Sequence, residues 1–192
     1  MKKNLLILTT FFPYEGGEQF FEHEVKYWEN SSFDNIYILP SNQGGRKREF
    51  SKNIKIIDKI ISKNIISNFY YMVFSLFTII FWKELKYIFL NVNGNIVVNL
   101  FYALKSTANT YRYKNQINLA CKELEGEIYI YSYWNDTQCY GACLLKKEKK
   151  VIKVMSRAHG FDIYVERRVN NYMPLKWQFK DNIDKIFLLS HG

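Results

Sequence analysis

Residues 156–164 read Ser156-Arg157-Ala158-His159-Gly160-Phe161-Asp162-Ile163-Tyr164. An imidazole, a guanidinium, a carboxylate and a phenol thus follow directly on Val151-Ile152-Lys153-Val154-Met155, a β-branched run of the kind that makes a buried parallel strand. Gly160 frees the backbone to turn, so His159 and Asp162 are expected to project from the carboxyl end of that strand, where open α/β sheets bind ligands. Arg157, Asp162 and Tyr164, with Glu166, Arg167 and Arg168 behind them, would supply hydrogen bonds to a polar ligand. A lone histidine is also a common structural residue, and spacing alone leaves that alternative open.

Two further stretches could meet this loop. Residues 128–134 form an expected strand that becomes polar at Asn135 and Asp136, and Asp136 is placed to cap a helix running to about Leu145. Tyr133, Trp134 and Asn135, arriving at that strand end, suit a sugar ring, although core packing would account for Trp134 equally well. At the N-terminus, an apolar strand over 5–10 leads to Gly16-Gly17, whose backbone N–H groups could approach a phosphate at the start of a helix over 18–28. An ordinary glycine turn explains the same residues, and no GxGxxG dinucleotide fingerprint is present.

The elements that must position these groups alternate along the chain. Strands are expected over 36–40, 54–58 and 186–190, helices over 65–82, 96–124 and 172–180, the last with Pro174 near its start. The pattern predicts one α/β domain over 1–192, with about six strands in a doubly wound, mostly parallel, Rossmann-like sheet. Residues 65–82 carry no charge and approach the length of a membrane span. A span would place the two halves of one sheet on opposite sides of a bilayer. The expected helix is therefore buried, or lies in the membrane interface with Tyr70, Tyr71, Trp82 and Tyr87 near the head groups.

A chain of 192 residues, 48% hydrophobic, can bury a full core, and 18% aromatics exceed what that core needs. The net charge of +9 points to an anionic partner: acidic lipid or a sugar donor's diphosphate. Nucleic acid is not expected, because Arg46-Lys47-Arg48 lies in a polar loop without an RNA motif or recognition helix. Cys121, Cys139 and Cys143 show no paired framework, which favours a reducing compartment, and they make a poor zinc set; no metal site is expected. Lys2-Lys3 and the apolar run after it lack a signal peptide's cleavage site, so a first buried strand is the expectation.

The 156–164 segment, with Asn171-Tyr172-Met173-Pro174-Leu175 and Asp184-Lys185-Ile186-Phe187-Leu188-Leu189-Ser190 behind it, resembles the N-terminal domain of bacterial retaining glycosyltransferases of the GT-B group, family 4. Leu5 to Thr10 with Phe12-Pro13, Gly16-Gly17-Glu18 and Glu22 is similar to that family's first strand and loop; the middle of the chain matches weakly. The resemblance implies the acceptor-side half of a two-domain enzyme, inactive without the donor-binding C-terminal domain that holds the family's paired glutamates. By that analogy His159 would touch the transferred sugar, Gly16 and Gly17 the donor phosphates, and Tyr133, Trp134, Asn135, Arg157, Asp162 and Tyr164 the acceptor or sugar. The nucleotide-sugar is a substrate, no cofactor or metal is implied, and the acceptor would be a glycan or lipid-linked glycan of the surface-polysaccharide type. Work on such an acceptor implies a cytoplasmic protein, peripheral on the inner face of the membrane. A glycan-binding or assembly module without turnover and a small membrane-embedded protein remain the alternative classes.

Overall fold

Six short apolar runs line up as one sheet in the computed structural model, which describes residues 1–50, 52–58 and 64–188. The strands are β1 (Lys3–Thr9), β2 (Asn35–Pro40), β3 (Ile54–Ile56), β4 (Glu127–Ser132), β5 (Lys153–Ala158) and β6 (Lys185–Leu188). Their order is β3-β2-β1-β4-β5-β6, and all neighbouring pairs are parallel. The fold is α/β with a Rossmann-like, doubly wound sheet, as the alternation of elements predicts. β1 sits centrally and is the most uniformly buried strand: residues 4–9 are all buried, around the apolar run Leu5-Leu6-Ile7-Leu8. The strand order reverses between β1 and β4, which opens a crevice beyond their carboxyl ends.

The helices are α1 (Phe21–Glu29), α2 (Ile65–Leu76), α3 (Ile79–Asn91), α4 (Ile96–Cys121), α5 (Thr137–Lys147), and two single turns, α6 (Gly160–Ile163) and α7 (Lys176–Phe179). Phe21 and Val25 of α1 pack with Leu5, Ile7, Ile36 and Ile38 on one face of the sheet. Ile117 and Ala120 of α4, with Cys139, Ala142 and Cys143 of α5, pack with Leu6, Leu8, Ile130 and Val154 on the other. The three cysteines are buried as small apolar residues, and burial pushes the Cys121 thiol up to about 11.

Two helices meet closely enough to require a glycine. A Cβ on Gly141 would lie 2.7 Å from Lys114 N and 3.0 Å from Thr110 O, both backbone atoms of α4. Gly141→Ala should therefore destabilise the fold by about 1–3 kcal/mol, because overpacking outweighs the gain of roughly 1 kcal/mol in helix propensity. Thermal unfolding of the variant checks this; an unchanged or raised midpoint would show that α4 and α5 can separate freely.

Several boundaries differ from the sequence expectation for definable reasons. The expected single helix over 65–82 is two helices, bent by 70°. Ser75 Oγ donates to Tyr71 O, Thr78 Oγ1 donates to Ser75 O, and Thr78 Oγ1 accepts from Phe81 N, so the threonine ends one helix and caps the next. No single helix among the described residues is long and apolar enough to cross a membrane. β5 begins and ends later than expected, at Lys153 and Ala158, which decides where Arg157 points. The helix expected over 172–180 shrinks to α7 followed by a 3-10 turn at Lys180–Asn182. Leu189 and Ser190 of the last expected strand lie outside the described residues.

Candidate functional site

At the carboxyl end of β1 the chain must satisfy three successive N–H groups that no strand can reach. Glu18 does so. Its Oε1 accepts from Thr10 N (2.7 Å), and its Oε2 accepts from Phe11 N and Phe12 N, both at 2.8 Å. A fourth donor, Trp134 Nε1 at the end of β4, reaches Oε1 at 2.7 Å. Glu18 holds a left-handed backbone (φ 57°) to make these contacts, and Gly16 before it (φ 125°) is packed so closely on the Phe11 ring that a Cβ would come within 2.9 Å. The loop is thus an anion nest filled by its own carboxylate. Gly16 and Gly17 do not open onto a helix start, since α1 begins at Phe21; Gly17 instead offers its carbonyl to Arg48 at 3.0 Å.

Trp134 carries the bond with Glu18 across to β5. Its ring stacks on His159 at 4.2 Å between centroids, with the planes 30° apart. His159 Nε2 lies 3.2 Å from the carbonyl oxygen of Tyr133. A carbonyl only accepts, so Nε2 carries the hydrogen and the neutral ring presents Nδ1 as its acceptor. Burial, and then the Arg157 guanidinium, hold the His159 pKa below the ordinary histidine value. The carboxyl ends of β1, β4 and β5 are joined through Glu18, Trp134 and His159, and this cluster includes two residues the sequence marks as site candidates.

The other candidates are placed differently. Tyr133 is a buried ring edge-on to Phe21, beneath the crevice floor. Arg157 lies within β5, where alternation puts it on the α1 face with Met155; it pairs with Glu24 and sits 5.0 Å over the Tyr133 ring. Asp162 is buried, accepts from His159 N at 3.2 Å and contacts Arg168 at 3.5 Å, so it fixes the loop around the histidine. Tyr164 is exposed beneath the Arg167 guanidinium. Asn135 is held instead by α7, where Lys176 Nζ donates to its carbonyl (2.8 Å) and to Oδ1 (2.7 Å).

Asn135 and Lys176 border a polar pocket of ≈ 220 Å³ between α4 and the segment after β5, lined also by Lys105, Asn109, Asp136 and Arg168. Burial lowers the Lys176 pKa, while Asp162 and other neighbouring acids pull it back up. Burial pushes the Asp136 carboxyl up to about 6, against the N–H of Gln138 that it caps. Lys176 escapes sequence reasoning because its partner lies 41 residues away. Glu84, the acid within the apolar run of α3, is a visible anomaly in the sequence whose role only the structure supplies: it is fully buried and accepts from residues 172–178, the segment that carries Lys176.

Glu18→Ala should cost about 2–3 kcal/mol, because four donors lose a charged acceptor and some of them stay buried. The same change should free the Trp134 indole and red-shift the tryptophan emission. A variant with unaltered midpoint and spectrum would show that the clamp carries no weight.

No protein-family model, no curated protein and no solved structure matches this chain.

Proposed function

We propose that this domain is the acceptor-side half of a retaining glycosyltransferase of the GT-B group, family 4, acting with a donor-binding domain. A sugar would pass from a nucleotide-sugar to a glycan or lipid-linked acceptor at the cytoplasmic face of a membrane. The observation that carries the reading is His159: a half-buried, neutral imidazole at the carboxyl end of β5, beside the strand-order reversal, with Nε2 committed to Tyr133 O and Nδ1 the ring atom that would accept from a sugar hydroxyl. Trp134, stacked on it, adds an aromatic surface of the kind that sugar rings favour. In the reaction the bond from the anomeric carbon to the diphosphate breaks, the bond to the acceptor oxygen forms on the same face, and the departing diphosphate takes the acceptor proton. No cofactor enters this scheme, and the nucleotide-sugar is consumed as substrate.

A second reading, an acceptor-binding module without turnover, is favoured by one observation: the nest at residues 10–12, near the glycines that the resemblance assigns to the donor phosphates, is already filled by Glu18. Under the first reading the diphosphate must then be held by the second domain. The two separate in one assay. The domain joined to a donor-binding domain should release nucleoside diphosphate only when acceptor is present, and the domain by itself should release none. Acceptor binding without release in the joined protein would favour the module; release by the domain alone would defeat the half-enzyme reading.

A further inference from the structure

The bend between α2 and α3 leaves an apolar surface that none of the described residues covers. Phe77, at the bend, is 83% exposed, flanked by Phe69 and Ile79, each 69% exposed, with Ile65 at the start of α2 at 85%. Tyr70 and Trp82 are more than half exposed on the same pair of helices, and the Trp82 indole donates to Leu76 O at 2.8 Å, so burying it leaves no orphan donor. We propose that this bend is a wedge that inserts into one leaflet of an anionic bilayer.

Charge complementarity selects that occupant. The one carboxylate on either helix, Glu84, is turned fully inward, whereas Lys83 and Lys86 are exposed just beyond the uncharged run. The surface therefore presents apolar groups and ammonium groups without an exposed acid, the pattern that anionic head groups attract. A second copy of a +9 chain would bring the same lysines together across a two-fold contact, where they repel. A single straight span does not fit the shape. The 12 residues of α2 reach about 18 Å, short of a hydrocarbon core of about 30 Å, before the 70° turn.

The inner sides of the two helices are pinned, which makes the wedge rigid. Asn115 Nδ2 donates to Tyr71 Oη at 2.9 Å, Arg112 bonds Asn68, and Phe74 meets Tyr111 edge-on at 5.1 Å. Of the four aromatics expected near the head groups, Tyr70 and Trp82 face outward. Tyr71 is buried, and Tyr87 is stacked on Trp177. α3 is bonded through Glu84 to residues 172–178, so docking would hold the crevice beside the bilayer. None of this depends on the transferase reading.

The test is vesicle co-sedimentation of the whole chain. Partition onto phosphatidylcholine vesicles containing a third phosphatidylglycerol should exceed that onto pure phosphatidylcholine by about tenfold, and should weaken as salt rises. Phe69→Asp with Phe77→Asp should lower partition at least tenfold on both vesicles, and Lys83→Glu with Lys86→Glu should lower it on the anionic ones alone. Because both phenylalanines are exposed, the fold should survive, as circular dichroism would check. Independently, brominated lipid should quench the wild-type tryptophan emission, and Trp82→Phe should remove much of that quenching. Partition indifferent to the phenylalanine changes, absence of quenching, or a lipid-free dimer that Phe77→Asp dissociates would each overturn the wedge; retention through an alkaline wash would replace it with a span.

Discussion

His159→Phe, placed in the domain joined to its donor-binding partner, is expected to lower sugar transfer about a hundredfold while moving the melting temperature by only a few degrees. Phenylalanine keeps a ring to stack on Trp134 but has no Nδ1, so a hydrogen bond that strengthens as charge develops is lost; such bonds contribute roughly 3 kcal/mol. The structural cost is the unpaired carbonyl of Tyr133, about 1 kcal/mol, or roughly 2–4 °C in a chain of this size. His159→Ala should lose transfer equally and melt lower, because the stacked ring goes too. The imidazole must be neutral to accept, and its pKa is held below the ordinary value by burial and then by Arg157, so transfer should fall only on acidification below about 6.5. Stability follows the same sign. The unfolded histidine binds its proton first as pH falls, so the native state loses stability between the ordinary value and the lower folded one, and His159→Phe should remove that slope. Transfer near wild-type in His159→Phe would return the residue to a packing role.

Much of this crevice is legible in the sequence because it depends on short-range pattern. β-branched runs that turn polar at their ends place Trp134 and His159 at the same edge of the sheet, provided the strands are neighbours, and β4 and β5 are. Arg157 is not legible in the same way. Its side depends on β5 reaching Ala158, and a shift of one strand boundary moves a side chain from the crevice loop to the opposite face. The break at Thr78 was open to sequence reasoning, since a threonine placed to cap Phe81 can end one helix and begin another, but the uncharged run around it reads as continuous. The bond from Trp134 to Glu18 and the partners of Glu84 were beyond reach. The Trp134 donor to Glu18 lies 116 residues away, and the donors to Glu84 lie 88 to 94 residues away, distances at which one sequence holds no pairing information.

Glu84 carries the largest expected stability effect. Its Oε1 accepts from Tyr172 Oη (2.7 Å) and Leu175 N (2.8 Å), and its Oε2 accepts from Trp177 Nε1 (2.8 Å) and Gln178 Nε2 (2.7 Å). Burial, and then the carboxylate itself, raise the Tyr172 pKa well above that of an ordinary phenol, so its hydroxyl remains a donor. Glu84→Leu removes the acceptor and leaves four donors facing an apolar group; a loss of about 3–5 kcal/mol is expected, roughly 6–20 °C in the midpoint. Glu84→Gln should fall between that variant and the wild type. Whichever way the amide turns, its NH2 meets a donor that cannot reverse: the Leu175 N–H on one side or the Trp177 indole N–H on the other. Gln178 cannot turn to help without giving up its 3.0 Å bond to Ile80 O. Since Lys176 stands between two of these donors and holds Asn135, the damage should also reach the crevice. Amide exchange of residues 172–178 should accelerate in Glu84→Gln while that of β1 stays protected. A Glu84→Leu variant that melts with the wild type would mean that the four donors find water, and that α3 is not bolted to the site.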